Sequence, residues 1–218
     1  MTYIKIWQLN IFTMYFITFE GCDGSGKTTQ VSLLTNHLQG RGLKCITTKE
    51  PGGTPLAQEI RFLLLKSEIK DPITEFALLS AARRDHIINL IQPSLVQGIT
   101  VICDRFFDSS LVYQGLKKGL DLDFMFDIHK KVVGILEPSL TFLLDLAPEI
   151  IIERLQRSAN REINHYDAQP ISFHKSIREG FLLLAEKFPS RIVVINANQP
   201  IDNIAKEIFE KFSMLTKI

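Results

Sequence analysis

One stretch, Gly21-Cys22-Asp23-Gly24-Ser25-Gly26-Lys27-Thr28-Thr29, restricts the fold of this chain more than any other. It has the spacing G-x-x-x-x-G-K-T and stands between two different periodicities. Before it runs Tyr15-Phe16-Ile17-Thr18-Phe19-Glu20, apolar and rich in strand formers. After it, Gln30 to Gln39 carries Val31, Leu34, Thr35 and Leu38 on one helical face. Strand, glycine-rich turn and helix form the setting in which such a loop wraps an anion. The glycines let successive backbone N–H groups converge, and the helix N-terminus adds partial positive charge. The pattern predicts that Gly21, Cys22, Asp23, Gly24, Ser25, Gly26, Lys27, Thr28 and Thr29 cradle the phosphates of a nucleoside triphosphate. Lys27 would reach the β- and γ-phosphates, and the Thr28 hydroxyl would face Mg²⁺. A glycine-rich turn with no ligand is the bland alternative, and the flanking elements argue against it.

A chain of 218 residues with 45% hydrophobic and 22% charged residues can bury a sizeable core in one domain. The formal net charge of +1 gives no electrostatic reason to expect nucleic acid or a membrane surface as partner. Three cysteines, Cys22, Cys45 and Cys103, form no C-x-x-C pair, which fits a reducing, cytoplasmic compartment. Cys22 reads better as a small core side chain than as an activated thiol. No stretch approaches the ~18 consecutive apolar residues of a membrane span. Residues 1–13 lack the regions of a signal peptide, and Met14 lies directly before the first strand. Residues 1–13 are therefore expected to be an extension, with 14–218 a single domain.

Further along, Leu43 to Thr48, Thr100 to Asp104, Leu140 to Asp145 and Arg191 to Asn196 read as strands. Helical patterns separate them: Pro55 to Lys66, with Leu56, Ile60, Leu63 and Leu64 on one face; Ile73 to Val96, with a break near Pro93; Asp123 to Val133; and Pro148 to Gln156. Ile171 to Phe188 and Pro200 to Phe212 complete the set. Five strands alternating with helices predict an α/β fold: a five-stranded parallel sheet covered on both faces, in three α/β/α layers. Lys49-Glu50-Pro51-Gly52-Gly53-Thr54 leaves the C-terminal end of a strand, the edge where such sheets bind ligands. Asp104 ends another strand, where a carboxylate can hold Mg²⁺. Arg83 and Arg84 must face different sides of their helix. The polar, arginine-containing segment at about 157–170 has no helical period and reads as a lid or as a solvated connection.

These segments together resemble the thymidylate kinase family. The phosphate loop, Lys49 to Thr54, Ala81-Ala82-Arg83-Arg84-Asp85-His86, Asp104-Arg105-Phe106 with Ser109 and Tyr113-Gln114-Gly115, and Phe173-His174 with Arg178-Glu179-Gly180-Phe181 occur in family order. They cover nearly all of residues 15–185. The resemblance implies a P-loop nucleoside monophosphate kinase fold, ATP and dTMP as substrates, Mg²⁺ held by Thr28 and Asp104, and a homodimer packed through helices. It implies Asp23 at the sugar 3′-hydroxyl and acceptor phosphate, Arg105 on that phosphate, and Arg83 on the thymine carbonyl. Lys49, Pro51, Leu79, Ser109, Ser110, Tyr113 and Gln114 would complete the substrate site. The long segment from Phe76 to Leu95 would supply a buried dimer face. A kinase for another nucleoside monophosphate and a non-catalytic nucleotide switch stand as alternatives.

Several positions depart from the family pattern. Lys49 stands where arginine is usual, a point charge in place of a bidentate fork. Leu79 replaces a phenylalanine that stacks on the base, with Phe76 a possible substitute one turn earlier. The lid reads Asn164, His165 and Asp167 where the family has D-R and then glutamate. Gly24 follows Asp23, so the phosphate loop carries no arginine of its own. In this the chain resembles the family type whose lid supplies the catalytic cation, which implies Arg157 or Arg161, with Arg154 behind them.

Overall fold

A computed structural model describes residues 14–67, 69–134, 136–157 and 169–216. The presumed extension at 1–13 and nearly all of the lid, including Arg161, lie outside these residues. The five strands are β1 (Phe16–Glu20), β2 (Cys45–Lys49), β3 (Thr100–Asp104), β4 (Leu140–Asp145) and β5 (Ile192–Asn196). They form one sheet in the order β2-β3-β1-β4-β5, every pair parallel. Side chains alternate between faces along a strand, yet all five residues of central β1 are buried. Both faces of the sheet are therefore covered, as the alternating pattern predicts.

Helix α1 (Lys27–Gly40) packs beside α9 (Ile201–Thr216), where the rings of His37 and Phe209 stack at 4.0 Å. Helix α8 (Ile171–Lys187) lies against β4 and β5. Arg178 on it grips Asp145, the last residue of β4, through two bonds of 2.7 and 2.8 Å. Helix α2 (Pro55–Lys66) is capped by Thr54, and α3 (Pro72–His86) by Asp71, whose side chain accepts from Thr74 N at 2.7 Å. The single helix expected over 73–96 is interrupted. Its backbone widens into a π-helical turn at Ile87–Ile91 before α4 (Gln92–Val96). Pro93, which lacks an N–H and crowds the carbonyl four residues back, accounts for the widening. A second π-helical turn, Leu111–Lys117, follows α5 (Phe107–Ser110) and leads to α6 (Leu122–Val133). Helix α7 (Pro148–Arg157) follows β4.

The apolar faces divide between core and surface. Phe76, Ile87 and Ile91, from the segment expected to supply a buried face, are buried in the chain's own core. Helix α2 instead buries only Ala57 and leaves Leu56, Phe62, Leu63 and Leu65 exposed, with Ile73 and Ile88 of the next segment also exposed. The three cysteines are buried free thiols. Cys22 faces the core as expected, and burial pushes its pKa up to about 11. No helix among the described residues is long and apolar enough to cross a membrane.

One core group should be visible in the acid stability of the fold. The ring of His129, on α6, stacks on Phe107 at 3.5 Å, and its Nδ1 is buried with no hydrogen-bond partner among the described residues. Burial, then the charges of Arg83 and Arg191, lower its pKa to about 3 from an ordinary 6.5. The folded chain keeps this ring neutral where the unfolded chain protonates it, so its contribution is lost as pH falls below 6.5 toward 3. His129→Phe keeps the stacking and removes the proton. Relative to the parent, its urea midpoint should rise progressively between about pH 7 and pH 4.

Candidate active site

The C-terminal ends of four strands carry Glu20, Lys49, Asp104 and Asp145, so one edge of an apolar sheet collects the charge. The phosphate loop crosses that edge from β1 to α1. It needs glycine where the backbone turns left-handed: Gly21 has φ 133°, and a Cβ there would lie 2.6 Å from the carbonyl oxygen of Leu144. Lys27 folds back over the loop. Its ammonium donates to the carbonyls of Gly21 at 3.0 Å and Cys22 at 2.8 Å, and sits 3.9 Å from Asp23. Burial, with Arg105 nearby, lowers its pKa. Thr28 Oγ1 donates to Asp104 Oδ2 at 2.7 Å. These groups open onto a cleft of about 770 Å³, in the size range of small-molecule sites. Gly24, Gly26, Lys27, Thr28 and Thr29 line it. Cys22 and Ser25 are buried below it, so their side chains are not offered to a ligand.

A narrower second cleft opens beside the first. Pro51, Leu79, Arg83, Ser109, Ser110, Tyr113 and Gln114 all line it, so seven of the residues expected at one substrate come together. Lys49 does not join them. It lines the larger cleft alone, whereas Glu50, the next residue, lines both. Phe76 does not replace the missing ring, being 1% exposed and packed near Phe124. Phe106 and Leu79, with Pro51 and Leu65, form the apolar part of this wall.

Arg83 is buried, as Arg84 beside it is not. Its Nε donates to Glu50 Oε2 at 2.8 Å and its Nη2 to Ser110 Oγ at 2.9 Å, with the guanidinium over the rings of Phe106 and Phe107. Glu50 is held in turn by His86, whose Nδ1 lies 3.1 Å from Oε1, and His86 Nε2 meets Thr48 Oγ1 at 2.7 Å. The loop after β2 and the long helix α3 are thus joined by one buried polar chain. Arg61 donates to the carbonyl of Pro51 at 3.0 Å and lines both clefts. Sequence reasoning passed over Arg61 and gave Glu50 no role, although a carboxylate between Lys49 and Pro51 and a cation in the second turn of α2 were there to read.

The clefts meet at Asp23 and Arg105, which line both. Arg105 Nη2 donates to Asp23 Oδ1 at 2.7 Å, and its Nη1 to Ser109 Oγ at 2.9 Å. The guanidinium also lies 5.6 Å from the ring centre of Tyr113. Of the expected lid cations, Arg157 ends α7, exposed and paired with Glu153 at 2.5 Å. Arg154 instead bridges inward, donating to the carbonyls of Gly24 at 3.5 Å and Ala197 at 3.0 Å.

A phosphate loop that shares an aspartate and an arginine with a second, mixed polar and apolar cleft is the equipment of a P-loop phosphotransferase. Comparison with known proteins narrows the class. Residues 19–208 match the sequence model of thymidylate kinase. Thymidylate kinases of Bacillus cytotoxicus and Bacillus cereus are each 42% identical over 197 residues, 89% of this chain and 95% of theirs. The crystal structure of thymidylate kinase from Ehrlichia chaffeensis superposes with a TM-score of 0.75 at 34% identity, over 91% of this chain and 98% of that one. The chain belongs to the thymidylate kinase family.

The joint between β2 and α3 makes a sharp prediction at Gly53. It has φ 87°, and a Cβ there would overlap His86 Nε2 and lie 2.6 Å from Thr48 Oγ1. Gly53→Ala should lower stability by about 2–4 kcal/mol in urea titration, since both backbone strain and overpacking oppose it.

Proposed function

We infer that the chain transfers the γ-phosphoryl group of ATP to dTMP, giving dTDP and ADP. The observation that carries this reading is the junction: Asp23 and Arg105 line both clefts, so two nucleotides seated in them would meet there. The larger cleft takes ATP. The loop amides and Lys27 hold its phosphates. Lys27 is already withdrawn from water and exchanges carbonyl partners for phosphate oxygens. Thr28 and Asp104 present a hydroxyl and a carboxylate side by side, hard oxygen donors that suit Mg²⁺ sharing its shell with water and phosphate. Held by these two residues, the ion would supply charge neutralisation to the triphosphate.

The narrower cleft takes dTMP. Arg105 grips the acceptor phosphate, with Asp23 fixing the guanidinium and facing the sugar. Arg83, Ser110, Tyr113 and Gln114 surround the base, and Leu79 and Phe106 supply apolar contact in place of a stacked ring. An acceptor phosphate oxygen then attacks the γ-phosphorus in line, and the residues contribute alignment and electrostatics. A guanidinium at the transferring group comes from the α7 end of the lid, Arg157 or Arg161, with Arg154 behind them. Sequential transfer between two bound nucleotides, rather than a switch, is supported by the acceptor-side set beside the phosphate loop. The exposed apolar face of α2 and the adjoining Ile73 and Ile88 support a homodimer. Three buried free thiols support a reducing, cytoplasmic setting.

Labelled ATP with dTMP, dUMP, dGMP and AMP in parallel tests the acceptor. We expect kcat/KM to be highest for dTMP; preference for another monophosphate would overturn the assignment. Alanine variants of Arg154, Arg157 and Arg161 test the lid. One of them should lower kcat by about 10³-fold, as loss of such a cation does in other phosphotransferases. Three variants with normal kcat would remove the lid arginine from the mechanism.

A further inference from the structure

Behind Arg105 lies a carboxyl group that lines neither cleft. Glu20, the last residue of β1, is 1% exposed. Burying a carboxyl in a sheet core is costly unless its oxygens are bonded. Here every bond goes to the turn that carries Arg105. Oε1 accepts from Phe106 N at 2.7 Å and Ser109 N at 3.3 Å, and Oε2 accepts from Ser109 Oγ at 2.6 Å. Burial and the neighbouring Asp108 push its pKa up to about 7, against the pull of Arg105 and these hydrogen bonds. Asp108 itself is clamped by Arg191 through two bonds of 2.7 Å.

Arg105 needs holding. Its φ is 71°, a left-handed backbone that costs a bulky residue of order 1–3 kcal/mol. Two consecutive amides secure it to the end of β1: Arg105 N donates to Phe19 O at 2.9 Å, and Phe106 N to Glu20. The side chain is secured by a relay. A serine hydroxyl has one hydrogen to give and lone pairs to receive. With the hydrogen of Ser109 committed to Glu20, its oxygen is turned to accept from Arg105 Nη1.

We propose that Glu20 is a positioning residue for phosphoryl transfer: through Phe106 N and the Ser109 hydroxyl it fixes the Arg105 guanidinium at the junction of the two clefts, touching neither nucleotide. The proposal rests on the reading of Arg105 as the arginine that grips the acceptor phosphate. Glu20→Gln keeps an acceptor for the two amides but presents an NH₂ to Ser109, so the hydroxyl must accept there and no longer presents itself to Arg105 in the same way.

The experiment is a double-mutant cycle of Glu20→Gln and Ser109→Ala, with KM for each substrate, kcat and the urea midpoint measured for all four proteins. Glu20→Gln should lower kcat/KM for dTMP by about 10–100-fold, the scale of a misplaced catalytic group. KM for ATP should change less than about twofold, because Lys27, which holds the phosphates, is bonded to the Gly21 and Cys22 carbonyls and not to Glu20 or Ser109. The double variant should lose no more than the worse single one, since both break one relay. Should Glu20→Gln fail to fold, Ser109→Ala alone can still overturn the proposal: it leaves the Phe106 amide bond of Glu20 intact and must lower kcat/KM for dTMP while sparing KM for ATP. Wild-type values for dTMP in Glu20→Gln or in Ser109→Ala would overturn the proposal, as would additive losses or an equal rise in both KM values. A wild-type chain that transferred nothing to dTMP would overturn the functional reading as well, which separates the two failures.

Discussion

The ion pair between Asp23 and Arg105 is the contact on which the site turns. It links the phosphate loop after β1 to the turn after β3, and it stands where the clefts meet. Neither partner reaches this place by default. Asp23 sits in a loop that depends on a glycine at φ 133°, and Arg105 on a residue held at φ 71°. Strain of this kind persists only where the surroundings over-determine the backbone. The parallel pairing of β1 with β3, with Phe19 opposite Asp104, provides that frame. It sets the two loops side by side at one sheet edge, and the hydrogen bond from Arg105 N to Phe19 O extends the ladder into the site.

The second cleft is built on the same plan. Arg83 is buried on α3, and Glu50 meets it from the loop after β2, with His86 behind. A buried pair of this sort adds little net stability over a well-packed apolar contact, yet breaking it leaves an unpaired charge and costs about 3–5 kcal/mol. What the pair secures is orientation: helix α3 cannot slide along the loop without stranding one partner. The site is therefore preorganised by the same bonds that hold the helix layer to the sheet edge, and its geometry and the stability of this edge cannot be varied independently.

Much of this was legible in the sequence. The five strands and their alternation with helices were, because each strand is a short apolar run ended by a polar residue. The phosphate loop, Asp104 with Thr28, and the seven residues of the second cleft were also legible, because family-like spacing marks them. Three things were not. Strand order is a property of crossovers, on which local periodicity is silent. The direction of Lys49, away from the second cleft, depends on how the strand ends. The roles of Glu20 and Glu50 depend on bonds across 86 and 33 residues. What covers an apolar face is hidden for a related reason. Helical spacing says which residues share a face, but not whether that face meets the chain's own core, as at Phe76 and Ile91, or is left exposed, as on α2.

The phosphate loop gains a more definite meaning from its surroundings. Taking an ammonium out of water is costly, and here that cost falls on folding: Lys27 is already buried on two loop carbonyls. A triphosphate entering the cleft replaces weak carbonyl partners with charged oxygens, so the gain on binding is electrostatic without a fresh desolvation of the lysine. The same loop offers no second cation, because Gly24 follows Asp23 and the backbone there turns left-handed at φ 80°. A side chain at this position would be strained and would press on Leu155 of α7, at 3.3 Å from a Cβ. The helix that crowds this position also carries Arg154 to the loop, where it donates to the Gly24 carbonyl at 3.5 Å, so one packing contact both disfavours a side chain at position 24 and brings a cation beside it.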